Sequence, residues 1–380
     1  MNNILMFVTT FLIQLIIAVE MAVIGPLAPY LAKYFLIKEN MVILFNLGYS
    51  IVGFFVPYLG IFADKFGKKK SLVISLIMFI LGSVCAGLAK SPYIFALARM
   101  LIGFAYFSLS GTTLSYLSEF ISYKNRGKAS GLLRIAFGIA ILFTPIFATY
   151  LVSKYNSLTI IYFPLAIIGG FALTFLTKLP ETKKSQNVKL DKREFLSLLK
   201  NPLAEKMLLT VFLLLTAPSL ILNYLGIYLA NSFSLSQVNI GIAYTIVAIG
   251  TVTGIVFSTI FSDRLGKYKL SKYFFIIMAI GTFPMFYSNS LPIVIGLVTI
   301  FSFGLDGGWT SYQALASEVI PEKRGTFMSL FYTVNAITIV FYSLVGPIIY
   351  GLGKFKLVLT ISTLSSILAI TLISTLKINE

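Results

Sequence analysis

Four ionisable residues lie inside long apolar stretches of this 380-residue chain: Glu20, Arg99, Arg134 and Asp306. A charge at membrane depth is costly and marks a functional site by default. At 1.5 Å of rise per residue, Glu20 and Asp306 sit roughly 20 Å from either end of their apolar runs, too far to snorkel to water. Such a carboxylate is suited to exchanging a proton, because burial favours its neutral form and a nearby guanidinium its charged form. The chain has no histidine, so a proton path uses carboxylates or water. Glu20 is the proton-coupling candidate, with Arg99 as the group that tunes it. The competing reading is a static ion pair of Glu20 with Arg99 or Arg134.

Asp306 has Trp309 and Gln313 at helical spacing on its face and Ser302 one turn before. An acid beside the chain's single tryptophan suits an organic cation held by charge and by cation–π contact. Equally, Asp306 orders a broken helix around Gly304, Gly307 and Gly308. Tyr106, Ser110 and Thr113 follow Arg99 on one face, a polar stripe fit for a wet cavity, and Asn223 and Tyr224 are further lining candidates. The substrate-contact set is thus Asp306, Trp309, Gln313, Tyr106 and Asn223.

The elements that must hold these residues are apolar. The chain is 58% hydrophobic and 11% charged, against about 25% charged in soluble domains. Single soluble cores stop growing beyond ~250–300 residues, and a membrane span needs ~20 apolar residues. Twelve runs qualify, roughly 4–33, 41–62, 70–90, 92–119, 127–152, 157–178, 207–230, 238–261, 271–289, 291–318, 325–350 and 356–376. They are too long and continuous for barrel strands. The first run exceeds a signal-peptide core and is expected as span one.

The net charge of +17 does not indicate nucleic acid. With the N-terminus inside, 22 of the 30 Lys and Arg residues fall in inner loops and the C-terminal tail, and six in outer loops. Arg99 and Arg134 are the other two. This bias predicts a multi-pass protein of the cell membrane with both termini cytoplasmic. Cys85 is alone, so no intrachain disulfide forms. No nucleophile motif and no phosphate loop occur, which argues against an enzyme and against direct ATP drive. No metal and no cofactor are expected.

The chain also repeats itself. Gly60-Ile-Phe-Ala-Asp64-Lys-Phe-Gly67-Lys68-Lys69-Lys70 closes one apolar run, and Asp263-Arg-Leu-Gly266-Lys267 repeats its centre 199 positions on. Ser118-Glu119 with Arg126-Gly127 recurs as Ser317-Glu318 with Arg324-Gly325, and Pro145 as Pro347. Two pseudo-symmetric six-span bundles follow, 1–178 and 207–380. They are joined by a basic linker, 179–206, that is either a short amphipathic helix on the inner leaflet or a solvated connection.

These motifs resemble the major facilitator superfamily over essentially the whole chain. Gly60-x-x-x-Asp64-x-x-Gly67-Lys68-Lys69 is similar to its loop 2–3 signature, Arg99-x-x-x-Gly103 to its span-four motif and Leu179-Pro180-Glu181-Thr182 to its span-six ending. The resemblance implies an all-α membrane protein, two six-helix bundles around a central cavity lined mainly by spans 1, 4, 7 and 10, and rocker-switch alternating access. It implies that Gly60, Asp64, Gly67, Lys68, Glu119 and Arg126, with their second-half counterparts Asp263, Gly266, Glu318 and Arg324, latch the halves in the outward-open state; the plainer reading is a topology anchor.

Glu20, Ala28 and Pro29 are similar to the acidic span-one motif of the 12-span drug/proton antiporters. Span five departs from those antiporters, keeping Pro145 between Thr144 and Ala148-Thr149 where glycines are usual. The expected function is proton-coupled efflux of small amphipathic or cationic organic compounds by a monomer in the lipid bilayer. The alternatives are a proton symporter for a small polar metabolite, such as a sugar or organic acid, and a transport-dead receptor.

Overall fold

The computed structural model describes residues 3–121, 126–182 and 197–376. Within them the chain is helical and no strand occurs. In hydrocarbon every backbone N–H and C=O must be paired inside its own segment, so uninterrupted apolar runs become helices. In chain order they are α1 (Asn3–Tyr34), α2 (Glu39–Phe66), α3 (Lys68–Leu88), α4 (Pro92–Phe120), α5 (Arg126–Tyr155) and α6 (Thr159–Thr177). Then follow α7 (Pro202–Phe233), α8 (Gln237–Leu265), α9 (Lys267–Tyr287) and α10 (Leu291–Val319). A last helical stretch, Arg324–Ser374, is broken at Lys354 (φ 51°, ψ −149°) into α11 (324–353) and α12 (355–374). The twelve expected spans are present, the last two joined by one residue rather than by a loop.

Side chains close the helix starts as their types predict. Asn201 accepts from the N–H groups of Leu203 and Ala204, and Ser236 from that of Asn239, while Pro92 and Pro202 open α4 and α7.

The helix pairing repeats between halves. In the first half α1 packs on α5, α3 on α4 and α2 on α4; in the second, α7 packs on α11, α9 on α10 and α8 on α10. Between halves, α5 meets α8, α2 meets α11 and α1 meets α7. Adding six to each label reproduces the set, the signature of a pseudo-two-fold axis through the α1–α7 crossing. At that crossing two backbones touch. A Cβ on Gly226 would stand 2.7 Å from the Gly25 carbonyl oxygen. Pro29, lacking an N–H, leaves that same carbonyl without its helix partner.

Glycines on α10 serve packing and leave the helix whole. A Cβ on Gly304 would meet the backbone of Met278 at 2.4 Å, and Gly307 and Gly308 face the rings of Phe274 and Phe275. The broken helix expected around them is not found, because α10 runs continuously from Leu291 to Val319. The close approach missing from α5 is supplied from the other side. A Cβ on Gly241 of α8 would stand 2.8 Å from the Pro145 carbonyl oxygen.

Both charged hinges adopt one geometry. Gly67 (φ 100°, ψ 134°) joins α2 to α3, and Gly266 (φ 86°, ψ 133°) joins α8 to α9. Lys68 pairs with Glu119, and Lys267 with Glu318 at 2.6 Å. The span-six ending docks on the first hinge. Thr182 Oγ1 accepts from the Lys68 N–H at 2.7 Å, and Lys69 donates to the Leu179 carbonyl at 2.6 Å. Residues 183–196, half of the 179–206 linker, lie outside the described residues, as do Lys124 and the side chain of Arg126.

Positive φ at Gly67 and Gly266 makes a stability test. Gly67→Ala and Gly266→Ala are each expected to cost on the order of 1–3 kcal/mol, read as lower melting temperatures in detergent. Gly60→Ala, with nothing within 4 Å of its added carbon, is expected to leave melting unchanged.

Candidate functional site

A cavity of about 310 Å³ lies between the halves. Its polar wall comprises Asn46, Tyr49 and Ser50 of α2, Arg99 of α4, Ser219 and Asn223 of α7, Tyr244 and Thr251 of α8, Ser302 and Asp306 of α10 and Asn335 of α11. The expected lining by spans 1, 4, 7 and 10 needs correction. α4 contributes Arg99 alone, while α2, α5, α8 and α11 supply much of the wall, because these six-helix bundles meet through α2–α11 and α5–α8.

Glu20 and Arg99 form a buried ion pair, 0% and 2% exposed. Arg99 reaches the cavity and Glu20 does not. The guanidinium is held on three sides. Nη1 donates to Glu20, Nε donates to the Phe45 carbonyl at 3.0 Å, and Nη2 donates to Asn46 Oδ1 at 3.1 Å. Its carbon lies 4.8 Å from the centre of the Tyr49 ring. The second carboxylate oxygen of Glu20 has no hydrogen-bond partner among the described residues. A buried, half-satisfied carboxylate behind a single guanidinium is a group whose charge depends on where that guanidinium sits.

Asp306 stands in the opposite wall and accepts from Thr251 Oγ1 at 2.7 Å. Arg134, exposed on α5, forms no ion pair among the described residues. The static Glu20–Arg134 pair is therefore absent, and the Glu20–Arg99 pair is present.

Three expected substrate contacts lie off the cavity wall. Trp309 and Gln313 share the Asp306 face but sit one and two turns nearer the end of the molecule that carries both termini. There Trp309 packs on Phe331, ring centres 5.0 Å apart, and Gln313 bonds the Tyr332 hydroxyl. Tyr106 packs on Tyr49 with ring centres 5.2 Å apart and tilted by 44°, and is not part of the wall. Asn223 is in the wall as expected. Asn46, Tyr49 and Thr251 were not anticipated. Asn46 and Asn223 are the lone amides of their apolar runs, a signal available in the sequence.

Among the described residues, the hydrogen bonds that join the halves lie at or beyond mid-depth, away from the termini. Asn40 donates to the Pro347 carbonyl at 2.9 Å, Asn231 to Glu39 at 2.6 Å and Gln237 to the Pro26 carbonyl at 2.7 Å. Asn46 donates to Asn223 Oδ1 at 2.8 Å. Toward the termini, Ser110 and Gly111 of α4 and Arg134 of α5 are exposed, so the cavity communicates with that end. The hinge pairs at that end fasten helices within a half: Lys68–Glu119 joins α3 to α4, and Lys267–Glu318 joins α9 to α10. Asp64 has no ion-pair partner among the described residues, Asp263 lies 3.6 Å from Lys267, and Arg324 is exposed. No described residue of the hinge set crosses between halves here. No group of three or more metal-ligating side chains occurs among the described residues.

Comparison with known proteins adds the lineage. A family model described as Major Facilitator Superfamily matches residues 10–269 and 207–379. The uncharacterised MFS-type transporter YwfA of Bacillus subtilis is 34% identical over 128 residues, 33% of this chain and 30% of YwfA. The sialic acid transporter NanX of Escherichia coli is 26% identical over 327 residues, 80% of this chain and 77% of NanX. Among solved structures, a D-xylose–proton symporter superposes with a TM-score of 0.76 at 17% identity, covering 97% of both chains. That last likeness is one of fold.

The ion pair carries its own stability test. Glu20→Leu strands a buried guanidinium and is expected to cost about 3–5 kcal/mol. Adding Arg99→Met to it is expected to recover most of that loss, because the unpaired charge is gone. Melting temperatures of the three proteins in detergent decide it.

Proposed function

This chain belongs to the Major Facilitator Superfamily and is a multi-pass membrane transporter rather than an enzyme, and we propose that it is a proton-coupled exporter of small amphipathic or cationic organic compounds. The observation that carries the reading is the Glu20–Arg99 pair, buried between apolar helices with Arg99 facing the cavity. A proton on Glu20 and a salt bridge to Arg99 exclude each other. Any solute or conformational change that moves Arg99 therefore alters proton binding, and reciprocally.

The bundles 1–178 and 207–380 rock about the α1–α7 crossing. With both termini in the cytoplasm of a cell membrane, as the loop charges favour, the closed end is the outer one and the cavity faces inward. Glu20 accepts a proton from outside when the outer end opens and releases it inside as Arg99 returns. Asp306, with Thr251, is the anionic contact for a cationic solute. The hinge pairs hold each bundle rigid while it moves, and the protein works as a monomer in the bilayer.

A second reading is supported by the amides of the wall. Asn46, Asn223 and Asn335, with Arg99, suit a polar or anionic solute brought in by proton symport. Transport in proteoliposomes under an imposed pH gradient separates the two. Accumulation of a lipophilic organic cation against the proton flow is expected, with no flux of xylose or sialic acid; the reverse pattern favours uptake.

Glu20→Gln is expected to lower proton-driven flux by about tenfold or more, and undiminished flux sinks the coupling assignment. Asp306→Asn is expected to weaken cation affinity by about tenfold while neutral compounds still move. Unchanged cation affinity removes Asp306 from the site.

A further inference from the structure

We infer that Asn46 and Asn223 form a relay that ties the charge state of Glu20 to closure of the end of the molecule opposite the termini. This rests on the proton-site reading of Glu20 and extends it from where the proton binds to how binding is felt across the two halves.

The bonds form one directed chain. A guanidinium only donates, so Arg99 fixes the otherwise ambiguous orientation of the Asn46 amide, its oxygen toward Arg99. Its nitrogen must then point the other way, and it donates to Asn223 Oδ1 at 2.8 Å. Asn223 in turn donates to the Ser219 carbonyl at 2.9 Å. Arg99 and Asn46 belong to the first half and Asn223 and Ser219 to the second, so the Asn46–Asn223 bond is the link that crosses. Among the described residues Asn46 is the one side chain bonded both to Arg99 and to the other half.

The backbone beneath Asn46 is built to move. α2 changes from a 3₁₀ turn (Glu39–Leu44) to α-helix (Phe45–Ile51) at that place, and to a second 3₁₀ turn (Val52–Phe55) beyond it. Mid-helix 3₁₀ segments mark hinges. Arg99 grips the first two residues past the junction, through the Phe45 carbonyl and the Asn46 side chain.

Other ionisable groups near Glu20 are few. Tyr49 of α2, Tyr106 of α4 and Tyr162 of α6 lie near it. Tyr244 of α8 bonds the Leu222 carbonyl, and Arg134 of α5 is exposed. Arg99 is the sole cation in contact with Glu20 among the described residues. When Glu20 takes up one proton, Arg99 loses its counter-charge and leaves for water in the cavity. Asn46 loses the donor that orients it, and the bond to Asn223 goes with it. The remaining end contacts, such as Asn231–Glu39, then act without their innermost tie.

Distance measurement between spin labels tests this. Cys85, the single and exposed cysteine, is replaced by Ala, and labels are placed at Leu36→Cys and Leu352→Cys, exposed residues in the two halves at the closed end. From about pH 8 to about pH 5, the open-to-closed ratio in the parent is expected to rise about tenfold or more. In Asn46→Leu and in Asn223→Leu the change is expected to fall below about twofold. Either variant suffices if the other does not fold, since both cut the same bond. Asn335→Leu, a cavity amide outside the chain of bonds, is expected to respond like the parent.

A full response in the Asn46 and Asn223 variants beside a flat Glu20→Gln overturns the relay and leaves the proton site standing. A response lost equally in Asn335→Leu also overturns the relay. A parent without response, or Glu20→Gln responding like the parent, overturns the proton-site reading itself.

Discussion

A guanidinium inside an apolar bundle must find an acceptor for each N–H it turns away from water, and the centre of this protein is arranged around that demand. Arg99 satisfies it with one carboxylate, one backbone carbonyl and one side-chain amide, drawn from α1 and α2. The carbonyl is that of Phe45, at the place where α2 changes helical type. The amide belongs to Asn46, which passes the constraint to the other half. Glu20 could be replaced by an apolar residue only if Arg99 went too. The pair is therefore weak as a source of stability and costly to break from one side.

The halves share their scaffold but not their chemistry. Hinge glycines with near-identical dihedrals and lysine–glutamate pairs 51 residues apart in each half repeat faithfully. Glu20, Arg99 and Asp306 have no charged counterpart 199 positions away. Symmetry supplies two bodies of like shape, as the proposed rocking needs, and the charges that break it, Arg99 and Asp306, face the cavity between them. The hinge residues accordingly fasten helices within each body, which is what rigid-body motion requires.

Much of this was legible in the sequence. Apolar runs of span length admit one kind of secondary structure in hydrocarbon, so the twelve helices followed from composition alone. Glu20 and Arg99 stood out because an ionic group in such a run is rare. Asn46 and Thr251 did not, since a neutral polar residue can bond its own helix, and only the crossing of helices decides otherwise. Thr253, two residues from Thr251, does bond its own helix. Trp309 and Gln313 failed for a different reason. Helical spacing assigned them correctly to the face of Asp306 but carried no information on depth. The glycines after Asp306 suggested a broken helix, whereas they make room for Phe274, Phe275 and the backbone of Met278 on α9.

The contact of Gly25 with Gly226 also sets a mechanical ratio. On α1 about 33 Å of helix lies between Gly25 and the end bearing the termini, and about 14 Å between it and the other end. On α7 the corresponding arms are about 36 Å and about 10 Å. A fulcrum so far off centre makes the two mouths unequal: a given tilt parts the long arms more than twice as far as the short ones. Under the rocking motion proposed above, such a lever would gape wide toward the termini and only narrowly at the opposite face, unless α1 bends where Pro26 and Pro29 already weaken the shaft.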